Sequence, residues 1–150
     1  MSTNAVPTEL LNSTAVREEK FQRDSIPAAW VLSGQPETKS KLLGKTADRL
    51  AFVTLWECGS VNFTWHYAKD ESYVVLSGEA CITNQHGVEQ RFAPGDFGFF
   101  PAGTTAHWRV PDHFRKVAFV KGPVWLPFAL ALKARNKLLG MVSGSRHASL

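Results

Sequence analysis

Cysteine is scarce in this 150-residue chain, with Cys58 and Cys81 the only two. Two thiols set in apolar stretches make neither a disulfide framework nor a zinc cluster, and buried, reduced side chains are expected of them. Long apolar runs are missing as well. No stretch approaches the ~20 residues that a membrane-spanning helix requires. Met1–Asn12 lacks the basic start and apolar run of a secretory signal. A cytoplasmic protein with no membrane contact is therefore expected. Acidic residues are absent from positions 121–150, which carry Lys121, Lys133, Arg135, Lys137 and Arg146, so the net charge of +4 is a property of the tail. Without a basic face interleaved with aromatics, nucleic acid is not an expected partner. No Ser/His/Asp or Cys/His order stands in a nucleophile context, and no phosphate-cradling loop precedes a helix. Gly95-Asp96-Phe97-Gly98 is a turn entering a strand.

Aromatic residues, glycine and proline are what the chain has in quantity: ten Phe, five Trp, two Tyr, eleven Gly and eight Pro. Hydrophobic residues at 44% and charged ones at 20% describe an ordinary globular domain of short strands and tight turns. A chain of this length buries roughly two-thirds of its extended surface, enough for one core. Residues 1–25 are polar and read as an N-terminal arm, and the polar stretch 37–49 reads as a loop. From Leu50 to Val120, eight short apolar runs alternate with turn signals such as Ser77-Gly78, Asn84-Gln85-His86-Gly87, Pro94-Gly95-Asp96 and Pro101-Ala102-Gly103. That spacing predicts an all-β barrel or sandwich. After Pro127 the pattern changes, and Phe128–Leu139 is spaced as a helix with Gly140 placed to stop it. Phe128, Ala131, Leu132, Leu138 and Leu139 share its apolar face, which is expected to dock on the barrel or on a twin subunit. The boundaries are thus 1–25 for the arm, 26–123 for the barrel, and 124–150 for the helix and tail.

Two segments carry the anchor spacing of the double motif of the cupin superfamily. In the first, Gly59 is followed by Trp65-His66-Tyr67, Glu71 and Gly78; in the second, Gly95 is followed by Pro101-Ala102-Gly103, Ala106 and Val110. The wording of Trp30-Val31-Leu32-Ser33-Gly34, Phe63-Thr64-Trp65-His66-Tyr67, Asp70-Glu71-Ser72-Tyr73 and Pro101 to Trp108 resembles the small ureidoglycine aminohydrolase-type cupins. The resemblance implies an all-β cupin jelly-roll β-barrel with a short C-terminal helix. It also implies a pocket opening at one end and a homodimer.

In metal-binding cupins three His and one Glu point into the barrel. Those positions fall here on Trp65, Tyr67, Glu71 and Ala106. Side chains alternate along a strand, so Trp65 and Tyr67 face inward and His66 faces out. His107 is also one residue off the inward register. A β-bulge at Thr104-Thr105 would swing it in and assemble Glu71, Tyr67 and His107 as ligands for a divalent transition metal. Without that bulge no cofactor is expected. His86, His113 and His147 lie in turns and the tail.

Alternation predicts a pocket of Phe63, Trp65, Tyr67, Glu71, Tyr73 and Trp108, with Phe97 and Phe99 behind. Such an aromatic cup either fills a barrel that has lost its metal or receives a planar or cationic small-molecule ligand. A carboxylate facing that interior must be neutralised, hydrogen-bonded by Tyr67 or Tyr73, or paired with a Lys or Arg. If unpaired, Glu71 would serve as a general acid or base, with Tyr67 beside it. Three functions follow. They are a metal-independent small-molecule binder, a metal-dependent hydrolase of ureido or amino-acid-like compounds, and a packed structural dimer without catalysis. The sequence leaves open whether the protein is an enzyme.

Overall fold

The computed structural model describes residues 21–123 and 126–143; most of the predicted arm lies outside them. Among the described residues, eleven strands and one α-helix follow one another. The strands are β1 (Gln22–Arg23), β2 (Val31–Gly34), β3 (Lys39–Lys45), β4 (Ala51–Cys58), β5 (Val61–His66), β6 (Asp70–Gly78), β7 (Ala80–Asn84), β8 (Glu89–Phe92), β9 (Phe97–Phe100), β10 (Thr105–Val110) and β11 (Phe114–Lys121). A 3-10 turn over Ala28–Trp30 leads into β2, and α1 spans Leu126–Ser143. The strands form two antiparallel sheets, ordered β1-β3-β4-β11-β6-β9 and β2-β5-β10-β7-β8. Pairings such as β11 with β4 and β10 with β5 join segments far apart in sequence, as in a jelly roll.

Burial follows the two-residue period. In β11, Phe114, Lys116 and Ala118 are buried while Arg115, Val117 and Phe119 are not; in β10, Ala106, Trp108 and Val110 are the buried set. The inner faces meet in a core dominated by rings. Phe63 stacks on Trp108 at 5.6 Å, and Trp108 meets Phe114 edge-on at 5.3 Å. Offset and edge-to-face pairs of this kind add about 0.5–1.5 kcal/mol beyond their buried area.

Two sequence expectations are corrected. The stretch 37–49 is not all loop, because Lys39–Lys45 pairs with β4 in antiparallel register. Its lysines mask the strand period, and cross-strand contacts such as Lys39 with Glu57 at 3.6 Å explain their presence. The helix also starts earlier and runs through Gly140. Pro127 occupies its first turn, where a missing N–H costs nothing. On its predicted apolar face Ala131 and Leu138 are exposed, and the side chains of Phe128, Leu132 and Leu139 lie outside the described ones. Among the described residues, no helix is long and apolar enough to cross a membrane.

Candidate functional site

Residues from both sheets line a cavity of about 400 Å³. β4 contributes Phe52, Thr54 and Trp56, β5 contributes Phe63 and Trp65, and the segment after β5 contributes Tyr67. Glu71 comes from β6, Trp108 from β10, and Lys116 from β11. Trp30, just before β2, closes one side by packing edge-on against Trp65 at 5.2 Å. Four of the five tryptophans therefore surround one space.

At its base lies an ion pair. The Lys116 ammonium donates a hydrogen bond to Glu71 Oε1, and both residues are buried. The cation also sits 4.7 Å from the Tyr73 ring, 4.9 Å from Trp108 and 5.1 Å from Trp56. β11 sets this up directly. Lys116 lies opposite Trp56 on one side and Val75 on the other, while Val120 lies opposite Glu71 four residues further along. A bulge in β6 near Leu76 keeps both sides in inward register. Carboxylate and three π faces together replace the water that a buried ammonium would lose.

Tyr67 stands beside the pair. Its hydroxyl oxygen accepts the indole N–H of Trp108 at 3.1 Å, which leaves the phenolic hydrogen without an acceptor among the described residues. Burial, and secondarily the negative charge of Glu71, push its pKa well above the ordinary tyrosine value. Tyr73 is raised for the same two reasons, and burial pushes the Cys58 thiol up to about 12. All three groups keep their protons in the folded state at a pH where the unfolded chain has released them. Their contribution is thus intact below the unfolded values and lost above them. Stability should fall from about pH 9 upward, where unfolded thiols titrate, and more steeply past about pH 10, by roughly 1.4 kcal/mol per pH unit for each phenol. Urea unfolding between pH 8 and 11 measures this, and a flat profile contradicts it.

The structure brings Phe63, Trp65, Tyr67, Glu71 and Trp108 together around the cavity. Tyr73 is a correction: it is fully buried beneath the ammonium rather than lining the space, and its hydroxyl has no hydrogen-bond partner. Phe99 is a second correction. It is 56% exposed on the outer face, and Phe97 is exposed with it. β9 enters with Gly98 opposite Tyr73, whose ring would lie 2.4 Å from any Cβ there. Residues 98 and 100 are therefore the inward ones, and Phe100 stacks on Tyr67 at 4.5 Å. No motif spacing marks Lys116, although Phe114, Lys116 and Ala118 share one parity in an apolar run, a pattern that places a lysine inside.

The metal-ligand positions do not suit a metal. Trp65 and Ala106 offer no donor, and Glu71 already faces an ammonium that would repel a dication. β5 and β10 pair in unbroken register, with His107 opposite Thr64 and no bulge at Thr104-Thr105. The set Glu71, Tyr67 and His107 is consequently not assembled. His66 is exposed, and its Nδ1 lies 3.0 Å from Thr105 Oγ1. No group of three or more His, Cys, Asp or Glu among the described residues could hold an ion.

Residues 47–118 match the family model of the EutQ-like cupin domain. A putative ethanolamine utilization protein Q (EutQ) from Salmonella typhimurium superposes with a TM-score of 0.50 at 21% identity, covering 56% of this chain and 68% of that one. A DUF861-family protein of unknown function from Pseudomonas syringae gives a TM-score of 0.65 at 18% identity, over 70% of this chain and 46% of that one. The Cnp3 cupin domain of Schizosaccharomyces pombe gives 0.58 at 12% identity, over 83% and 80%. At these identities the likeness concerns the fold. This chain spans less than half the length of the Pseudomonas protein. No curated protein matches the sequence.

Proposed function

We propose that this protein is a member of the cupin superfamily that binds a small planar organic molecule in the cavity without the help of a metal. The observation that carries this reading is the buried Lys116–Glu71 pair at the base of an aromatic-walled space. A barrel packed merely for stability would fill that volume with side chains. Here about 400 Å³ stays open, and the buried Lys116, Glu71 and Tyr67 line it. Because Glu71 already has a counter-ion, a cationic ligand gains little from it, and stacking on the half-buried Trp65 supplies the affinity. The ion pair also removes Glu71 as a free general base. The hydrolase reading loses its ligand set at Trp65 and Ala106.

Tryptophan fluorescence tests the proposal, since four indoles border the cavity. Titration with indole, quinoline and indane should give a saturable change that survives exhaustive chelation. Trp65→Ala should weaken binding by about tenfold, as expected for losing one stacking ring. Absence of a saturable response to all three compounds removes the reading.

One further surface fits a second copy of this chain. On the outer face of the larger sheet, Val53, Phe119, Ser72 and Phe99 lie in one row across four strands, and both phenylalanines are more than half exposed. Lys121 and Asp70, opposite one another in the register of β11 and β6, rim the row. Phe119→Lys should convert a dimer to a monomer in sedimentation; an unchanged mass rejects this interface.

A further inference from the structure

We infer that Lys116 and Tyr67 form a paired donor site for a single oxygen, so that the ligand of this cavity is an uncharged planar compound bearing a carbonyl group. The inference rests on the cavity being a binding site and names the chemistry of its occupant.

The donors are counted first. An ammonium carries three hydrogens. Among the described residues that of Lys116 has one hydrogen-bond acceptor, Glu71 Oε1, and otherwise meets ring faces. The Tyr67 oxygen is already an acceptor for Trp108, which fixes the hydroxyl and leaves its hydrogen to be donated elsewhere. Both residues line the same cavity. The ammonium hydrogens that face rings rather than an oxygen, and the Tyr67 hydroxyl hydrogen, gain a stronger acceptor from an incoming oxygen with two lone pairs, as in sites that bind carbonyl and oxyanion groups.

Charge decides which oxygen. Lys116 and Glu71 cancel, as do Lys69 and Asp24 elsewhere on the lining, so a carboxylate would bring an unbalanced negative charge next to Glu71. An amine would bring an unbalanced positive charge next to Lys116. Either costs desolvation that an apolar wall does not return. A ketone, lactone or lactam oxygen accepts both donors and adds no net charge. The flat wall of Trp65 requires the rest of the molecule to be planar. Lys116 thereby supplies, as a fixed positive group, the polarisation of a bound oxygen that a cation would give.

Isothermal calorimetry with four probes of one skeleton tests this: 1-indanone, indane, 1-aminoindane and indane-1-carboxylate. Indanone should bind at least about tenfold more tightly than indane, the value of one good hydrogen bond to a charged donor. Both charged probes should bind more weakly than indanone. Tyr67→Phe should lower the ratio of indanone to indane affinity severalfold. This variant keeps the ion pair, so the test does not depend on whether Lys116→Met folds. Equal affinity for indanone and indane, or tighter binding of either charged probe, overturns the carbonyl assignment and leaves the cavity reading standing. If no probe binds, the cavity reading fails and this inference falls with it.

Discussion

Replacing Lys116 with methionine should cost the fold about 3–5 kcal/mol, because it strands the Glu71 carboxylate in the interior. Methionine matches the stem of lysine in length and is itself apolar, so the loss is electrostatic rather than a packing defect. The ammonium it removes contacts Glu71 and the rings of Trp56, Tyr73 and Trp108. Urea unfolding measures the cost directly. The double variant Glu71→Gln with Lys116→Met should recover much of it, since neither side chain then carries an unpaired charge. Losses that simply add would show that the two groups do not depend on one another, and the account of the cavity base would be wrong.

Gly78→Ala should be comparably severe, at about 3 kcal/mol or more, through backbone rather than charge. Gly78 ends β6 with φ +73°, and a Cβ there would stand 2.0 Å from the carbonyl oxygen of His113. Left-handed conformation costs a non-glycine residue about 1–2 kcal/mol. The overlap adds roughly 1–3 kcal/mol, since the obstacle is main chain and cannot swing away. Gly87 is the internal control: its φ is +79° but nothing lies within 4 Å of the corresponding Cβ. Gly87→Ala should therefore show the conformational cost alone. Equal effects at the two positions would mean that the approach of His113 is unimportant. The Gly78 anchor thus owes its identity to the turn between β6 and β7, where the Glu79 N–H also bonds the His113 carbonyl at 3.3 Å.

Strand parity was legible in advance. A side chain's face follows from counting by two, which holds wherever pairing is unbroken, and so Trp65 and Tyr67 turn into the barrel, while His66 is exposed and borders the cavity beside Trp30. Phe99 escaped because parity needs an origin. The run Phe97-Gly98-Phe99-Phe100 offers aromatics on both faces, and only the Tyr73 ring lying against Gly98 fixes which set turns inward. Tyr73 itself has the right parity but the wrong depth, since depth depends on what the neighbouring strands place above it. The partner of Glu71 escaped for a related reason. Glu71 and Lys116 are 45 residues apart and meet only because β11 inserts between β4 and β6.

From the chain alone come the β class, the two sets of motif anchors and the inward ring-bearing residues, because each depends on turns and alternation within a few neighbours. Tertiary structure alone determined that a lysine neutralises the interior carboxylate, that a space remains open above the pair, and that His107 stays outside. Those outcomes require strands distant in sequence to be aligned in register, and local physical chemistry carries no information about that alignment.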